Sequence, residues 1–241
     1  WRRRATGHAP PTEVSVLRSV VEGTQLDAGV RGNGIVVREG ANVMISRTAV
    51  VDNHSEGLHL ADGSTVSVME SVVSGTQTDV ADFAAGVFVS QAPRVVLERN
   101  AIVGNMQSGV FVGVVCESGA ADPLEYLTAR GNLVASTRAA SDATTSGGGV
   151  VAVDACRVRF DDNAIVDNDG TGVFVGADTV GGSVFSGAGN LVEATRVIAV
   201  DSSADGTGVA LMGSTASLSD TAVLDNGAYG VFVGGGTGTE E

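Results

Sequence analysis

One twelve-residue string constrains this chain more than any other feature. Residues 164–175 read A-I-V-D-N-D-G-T-G-V-F-V, and the pattern recurs at 49–60, 101–112 and 222–233. Each copy carries an Asn four residues before a Gly: Asn53, Asn105, Asn168 and Asn226. A looser unit alternates with it. Val20-Val21, Val72-Val73, Leu133-Val134 and Leu191-Val192 each lead, after a longer insertion, to another Gly-apolar-x-apolar stretch. The Gly anchors are then Gly34, Gly57, Gly86, Gly109, Gly149, Gly172, Gly208 and Gly230, in steps of 23, 29, 23, 40, 23, 36 and 22. Side chains at Gly+1 and Gly+3 are apolar in every copy, so they share the buried face of a strand.

The anchors predict eight turns of about three short strands each. A 22-residue turn is too short for a strand-helix-strand crossover, whose connection alone takes about a dozen residues. A propeller blade needs about 40 residues and would not show this internal doubling. The expected class is therefore all-β: a single-stranded parallel solenoid of about eight coils and three short parallel sheets. Residues 13–233 form the solenoid, 1–12 an N-terminal cap or linker, and 234–241 a Gly-rich tail. With 34 Gly and 4% aromatics, the composition suits many tight corners.

The V-x-N-x-x-x-G-V-F-V strings resemble the right-handed parallel β-helix repeats of the pectate-lyase-like superfold, over about residues 14–233. The resemblance implies right-handed coiling, in line with the preferred hand of parallel crossovers. It also implies a choice of roles, from rigid surface modules to polysaccharide lyases and glycoside hydrolases. The pectin hydrolases of this superfold use N-x-D, D-D, G-H-G and R-x-K elements. Here Asp161-Asp162 supplies a D-D pair, while the chain has neither G-H-G nor any Lys.

Charge narrows the partners. The net charge of −14 repels a phosphate backbone and argues against nucleic-acid binding. No 18-residue apolar run exists to span a membrane as a helix. A chain that starts at Trp1 without a secretory signal reads as a processed piece of a longer protein. Its last coil lacks a capping helix, so further coils or a partner are expected there, with end-on or side-on self-association among the outcomes.

Four sets of candidate residues follow. Cys116 and Cys156 each lie seven residues after an anchor Gly, which stacks them at disulfide distance; the alternative is two stacked core thiols. A disulfide would place the chain outside the cytoplasm, secreted or at the cell surface. Asp167, Glu193 and Asp225 fall in successive turns, so they either hold calcium or form a solvated acidic stripe. No other cofactor is expected. The Asn ladder, whose equivalents in the alternate turns are Gly23, Gly75, Ser136 and Ala194, reads as structural, because Asn tolerates left-handed corners and bonds neighbouring backbone.

The fourth set is the outward Gly+2 position: Val36, His59, Phe88, Phe111, Val151, Phe174, Ala210 and Phe232. Insertions at 25–33, 77–85, 138–148 and 196–207 lead into these strands. Either they fold over the Phe stripe, or the stripe binds sugar rings or another surface protein. His54 and His59 also stand near Asp52, Glu56 and Asp62, a set able to act as acid or base. The function expected from these features is a non-catalytic extracellular module, a rigid spacer or binding surface. The alternative is a polysaccharide lyase or glycoside hydrolase.

Overall fold

The computed structural model describes residues 12–25, 32–78, 84–91, 94–113, 127–139, 148–154, 157–176, 183–197 and 206–234. Cys116 and Cys156 lie outside these residues, as does the middle of every long insertion. The described residues contain 24 strands in three eight-stranded sheets. Each sheet takes every third strand, and all pairings are parallel. The expected right-handed parallel β-helix of eight coils is what the chain forms.

One coil shows how. A five-residue strand, Asn42–Ser46, lies in the first sheet. Arg47, at φ 53°, turns the chain sharply. Ala49–Val51 lies in the second sheet, and Asp52, at φ 52°, makes the next corner. Glu56–Ala61 lies in the third sheet. A left-handed residue bends the chain sharply from one sheet into the next, so these corners need neither helix nor hairpin.

The core is the shared interior of the coils. Ile45, Val68, Leu97 and Phe160 enter from the first sheet, Val50, Ile102 and Ile165 from the second, and Leu58, Val87, Val110 and Val173 from the third. All are at least 98% buried. Phe160 and Phe185 stack on adjacent coils with ring centroids 5.7 Å apart. At the two ends of the described stack, the equivalent inward residues Val14, Val231 and Val233 are 44%, 52% and 73% exposed, because no described coil covers them.

The anchor glycines open the third sheet for one reason. A Cβ at Gly149 would stand 2.7 Å from the carbonyl oxygen of Gly172, and one at Gly34 2.6 Å from that of Gly57. No side chain fits between coils there.

Two polar columns fasten the corners. At the second corner the register pairs Asn53 with Thr76, Asn105 with Thr137 and Asn168 with Thr195. This corrects the sequence reading, which set Asn53 beside Gly75 and the other Asn beside Ser136 and Ala194. Those residues are the left-handed corners themselves, in line with Asp52, Gly104, Asp167 and Asp225. The column thus alternates Thr and Asn. Each Asn Oδ1 accepts the backbone N–H of the preceding Thr, at 3.0–3.2 Å.

The first corner holds a continuous column that the sequence reading missed: Asn100, Asn132, Asn163 and Asn190. The Oδ1 of Asn132, Asn163 and Asn190 each accepts the backbone N–H and the Nδ2 of the Asn one coil before, at 2.9–3.2 Å, and Asn100 Oδ1 accepts the Ser71 N–H at 3.0 Å. Each Nδ2 also reaches back to a first-sheet carbonyl, such as that of Leu97.

Candidate ligand-binding face

The third sheet has the longest strands, up to six residues against three in the second. Long insertions attach at both of its edges. Register places the expected outward row intact: Val36, His59, Phe88, Phe111, Val151, Phe174, Ala210 and Phe232 are successive neighbours.

The rings make a partly shielded ribbon. Phe88 and Phe111 stack at 5.5 Å with planes 15° apart, and His59 leans on Phe88 at 5.0 Å. All four Phe of the row are half-buried. Tyr229 packs on Phe232 at 5.8 Å. A glycine two residues later makes room for three of these rings. A Cβ at Gly113 would meet the Phe111 ring at 2.9 Å, and one at Gly176 the Phe174 ring at 2.7 Å. The F-V-G triplets at 111–113, 174–176 and 232–234 were a legible sequence signal for rings laid over the strand.

The face is almost uncharged. Its described strands contain one carboxylate, Glu56, and one imidazole, His59. The two lie three residues apart on one strand. Glu56 is fully buried; Ser55 Oγ donates to its Oε2 at 2.9 Å, and its Oε1 lies 3.7 Å from His59 Nδ1. His54 does not join them. It sits at the second corner with its Nδ1 3.4 Å from the Thr24 carbonyl oxygen.

The acidic candidates do not converge. Glu193 pairs with Val166 and Leu224, one register away from Asp167 and Asp225, which flank Ala194 at the corner. Asp167 is instead engaged by Arg138 at 3.6 Å and by Arg196. Partial burial pushes its carboxyl up. The Ser136 hydroxyl and the Arg196 and Arg138 guanidiniums outweigh this and hold it below the usual carboxylate range. The two Arg also bracket Asp169. Among the described residues no group of three or more His, Cys, Asp or Glu is placed to hold a metal ion. The D-D pair is likewise taken up by arginine, Asp161 by Arg159 at 2.6 Å and Asp162 by Arg130 at 3.4 Å. A shallow cavity of about 610 Å³ lies on the first sheet, beside Asn42, Met44, Ser67 and Arg94, away from all of these candidates.

Comparison with known proteins agrees with the fold. Residues 15–134 match the family model of a right-handed β-helix region. The chain is a right-handed β-helix. The similar solved structures include the periplasmic alginate epimerase AlgG, at 14% identity and a TM-score of 0.54. That match covers 88% of this chain and 50% of the epimerase. The T265N mutant of AlgG matches at 16% identity and a TM-score of 0.50, over 79% of this chain and 47% of the other. The β-helix described here thus spans about half the length of these proteins, and at such identities the likeness is one of fold. No curated protein matches the sequence. Among the described residues no helix is long and apolar enough to cross a membrane.

Proposed function

We propose that this β-helix is a non-catalytic polysaccharide-binding module acting outside the cytoplasm, and that its ligand is an uncharged, extended glycan lying along the third sheet. The observation that carries this reading is the in-register row of aromatic side chains on a face whose described strands hold a single carboxylate. Sugar C–H faces pack on aromatic surfaces, and an uncharged floor on an acidic protein disfavours polyanions. Coils stacked at about 4.8 Å give a periodic floor on which a linear polymer of similar rise meets equivalent contacts in successive turns. The fold precedent is the epimerase, which is periplasmic and whose name identifies alginate as its polymer. The same compartment is proposed here, with a neutral polymer in place of the acidic one.

Calorimetric titration with cellohexaose, xylohexaose and alginate oligomers tests the proposal. The neutral oligomers are expected to bind, and Phe88→Ala and Phe111→Ala to weaken them at least tenfold. Met44→Ala, on the first sheet, is expected to leave affinity unchanged. Preferential binding of alginate, or indifference to both Phe substitutions, would refute the assignment. A second reading, a carbohydrate-active enzyme, draws on the Glu56–His59 pair. It predicts that incubation changes the oligomers in length or configuration, whereas the binding module leaves them intact.

A further inference from the structure

Glu56 has no structural counterpart. Its register partners along the sheet are Ala85, Ser108, Gly148 and Thr171, all small and uncharged. The fold fills this position repeatedly without a carboxylate, and burying one is costly. Beside it, His59 Nδ1 is buried and has no hydrogen-bond partner, while the side chain as a whole is 20% exposed. The ring rests against Phe88, the first phenylalanine of the row.

We propose that His59 is the polar anchor of the third-sheet face. It accepts a hydrogen bond from a hydroxyl of the glycan stacked along the Phe row, and Glu56 is the residue that positions it. The proposal rests on the glycan reading of that face. A carboxylate facing Nδ1 favours the proton there, which leaves the Nε2 lone pair for a ligand. The 3.7 Å separation is slightly long for a hydrogen bond, and such contacts often tighten when a ligand binds. Among the described residues the other ionisable groups near this strand are Arg38, Glu39 and Asp62, exposed just past strand ends, and His54 at the corner before it, and strand Ala85–Ser90 carries none. Nothing else described on the sheet can supply a titratable acceptor.

The test uses the whole chain, with cellohexaose and xylohexaose as probes. His59→Phe keeps an aromatic ring at the end of the row and removes only the nitrogens. It is expected to lower affinity about tenfold, as loss of one hydrogen bond would. Long-range ¹H–¹⁵N spectra of the wild type are expected to show His59 protonated at Nδ1, with Glu56→Gln moving the proton population toward Nε2. If His59→Phe binds within twofold of wild type, or wild-type His59 carries its proton on Nε2, the anchor is wrong. If Phe88→Ala weakens binding while His59→Phe does not, the anchor falls and the glycan-binding face stands. If neither oligomer binds the wild-type chain, both fall together.

Discussion

Replacing Asn132 with Ala tests whether the first-corner column holds the coils together. Asn132 is 97% buried. Its side chain makes four hydrogen bonds: Nδ2 donates to Leu97 O and Asn163 Oδ1, and Oδ1 accepts from Asn100 N and Nδ2. Truncation removes all four. Asn100 Nδ2 retains the Val68 carbonyl, and Asn163 Oδ1 retains the Asn132 backbone N–H. The Asn100 N–H loses its acceptor in a buried corner. A stranded buried donor costs about 1–3 kcal/mol and each of the three further lost bonds about 0.5–1.5 kcal/mol, so the expected loss is about 2.5–7.5 kcal/mol. Asn132→Ser should lose roughly half of that. A hydroxyl can accept the preceding N–H, as Ser71 Oγ already does for Thr48 N at 3.2 Å. Urea unfolding followed by circular dichroism provides the assay. The slope should fall as well as the midpoint, because a broken column lets flanking coils unfold separately. A loss under about 0.5 kcal/mol for the Ala variant, or a Ser variant less stable than Ala, would refute the reasoning.

Gly149→Ala should destabilise by at least about 2 kcal/mol, since its Cβ would meet Gly172 O at 2.7 Å and Ile165 Cγ2 at 2.6 Å. Gly230→Ala should be close to neutral in the same urea unfolding, because the nearest atom to its Cβ is Val223 Cγ1 at 3.9 Å. Asp167 has a lowered folded-state pKa, so its contribution is present above the ordinary Asp range and is lost as pH falls through the folded value. Asp167→Asn should therefore lower stability at neutral pH and flatten the acid limb of a stability–pH profile. An unchanged acid limb would mean that the Arg138 and Arg196 pairs contribute nothing.

What was legible in the sequence was whatever repeats eight times. The Gly+1 and Gly+3 apolar positions, from Leu58 and Leu60 to Val173 and Val175, identify the core because period-two burial leaves no other phase. Register across the insertions was less secure. Equal offset from the Val-Val pair sets Gly75 beside Asn53, yet the shared feature of that corner is positive φ, which Gly75 and Asp52 satisfy alike. The one-residue error carried into the acidic set and made Glu193 a false neighbour of Asp167. The Arg138 and Arg196 that engage Asp167 lie 29 residues away on either side, one coil below and one above, where no local pattern points to them. The Asn100–Asn190 column did have a signal. In N-A-I-V, N-L-V-A and N-L-V-E the Asn always stands directly before the second-sheet strand.

The three sheets differ in what their outer faces can do. At the first corner, Arg47 pairs with Glu70 at 2.8 Å, and Arg99 with Glu70 at 3.4 Å and with Glu98. Neighbouring guanidiniums and carboxylates there already satisfy one another, and at such exposure each pair adds little to stability. The second sheet is three residues wide, about 10 Å, which is narrow for a polymer to rest on. The third sheet is up to six residues wide, about 20 Å, and carries one imidazole–carboxylate pair in place of a mosaic of ion pairs. Inward positions on all three sheets obey the same packing rule, so function has to be sought where the outward positions differ. Phe where an exposed strand position tolerates polar residues, and a buried Glu where its neighbours are Ala, Ser, Gly and Thr, are departures the fold does not require. Both fall on the same sheet, three residues apart from His59 to Glu56 and one coil apart from His59 to Phe88. That coincidence makes the third sheet the place to look for a ligand.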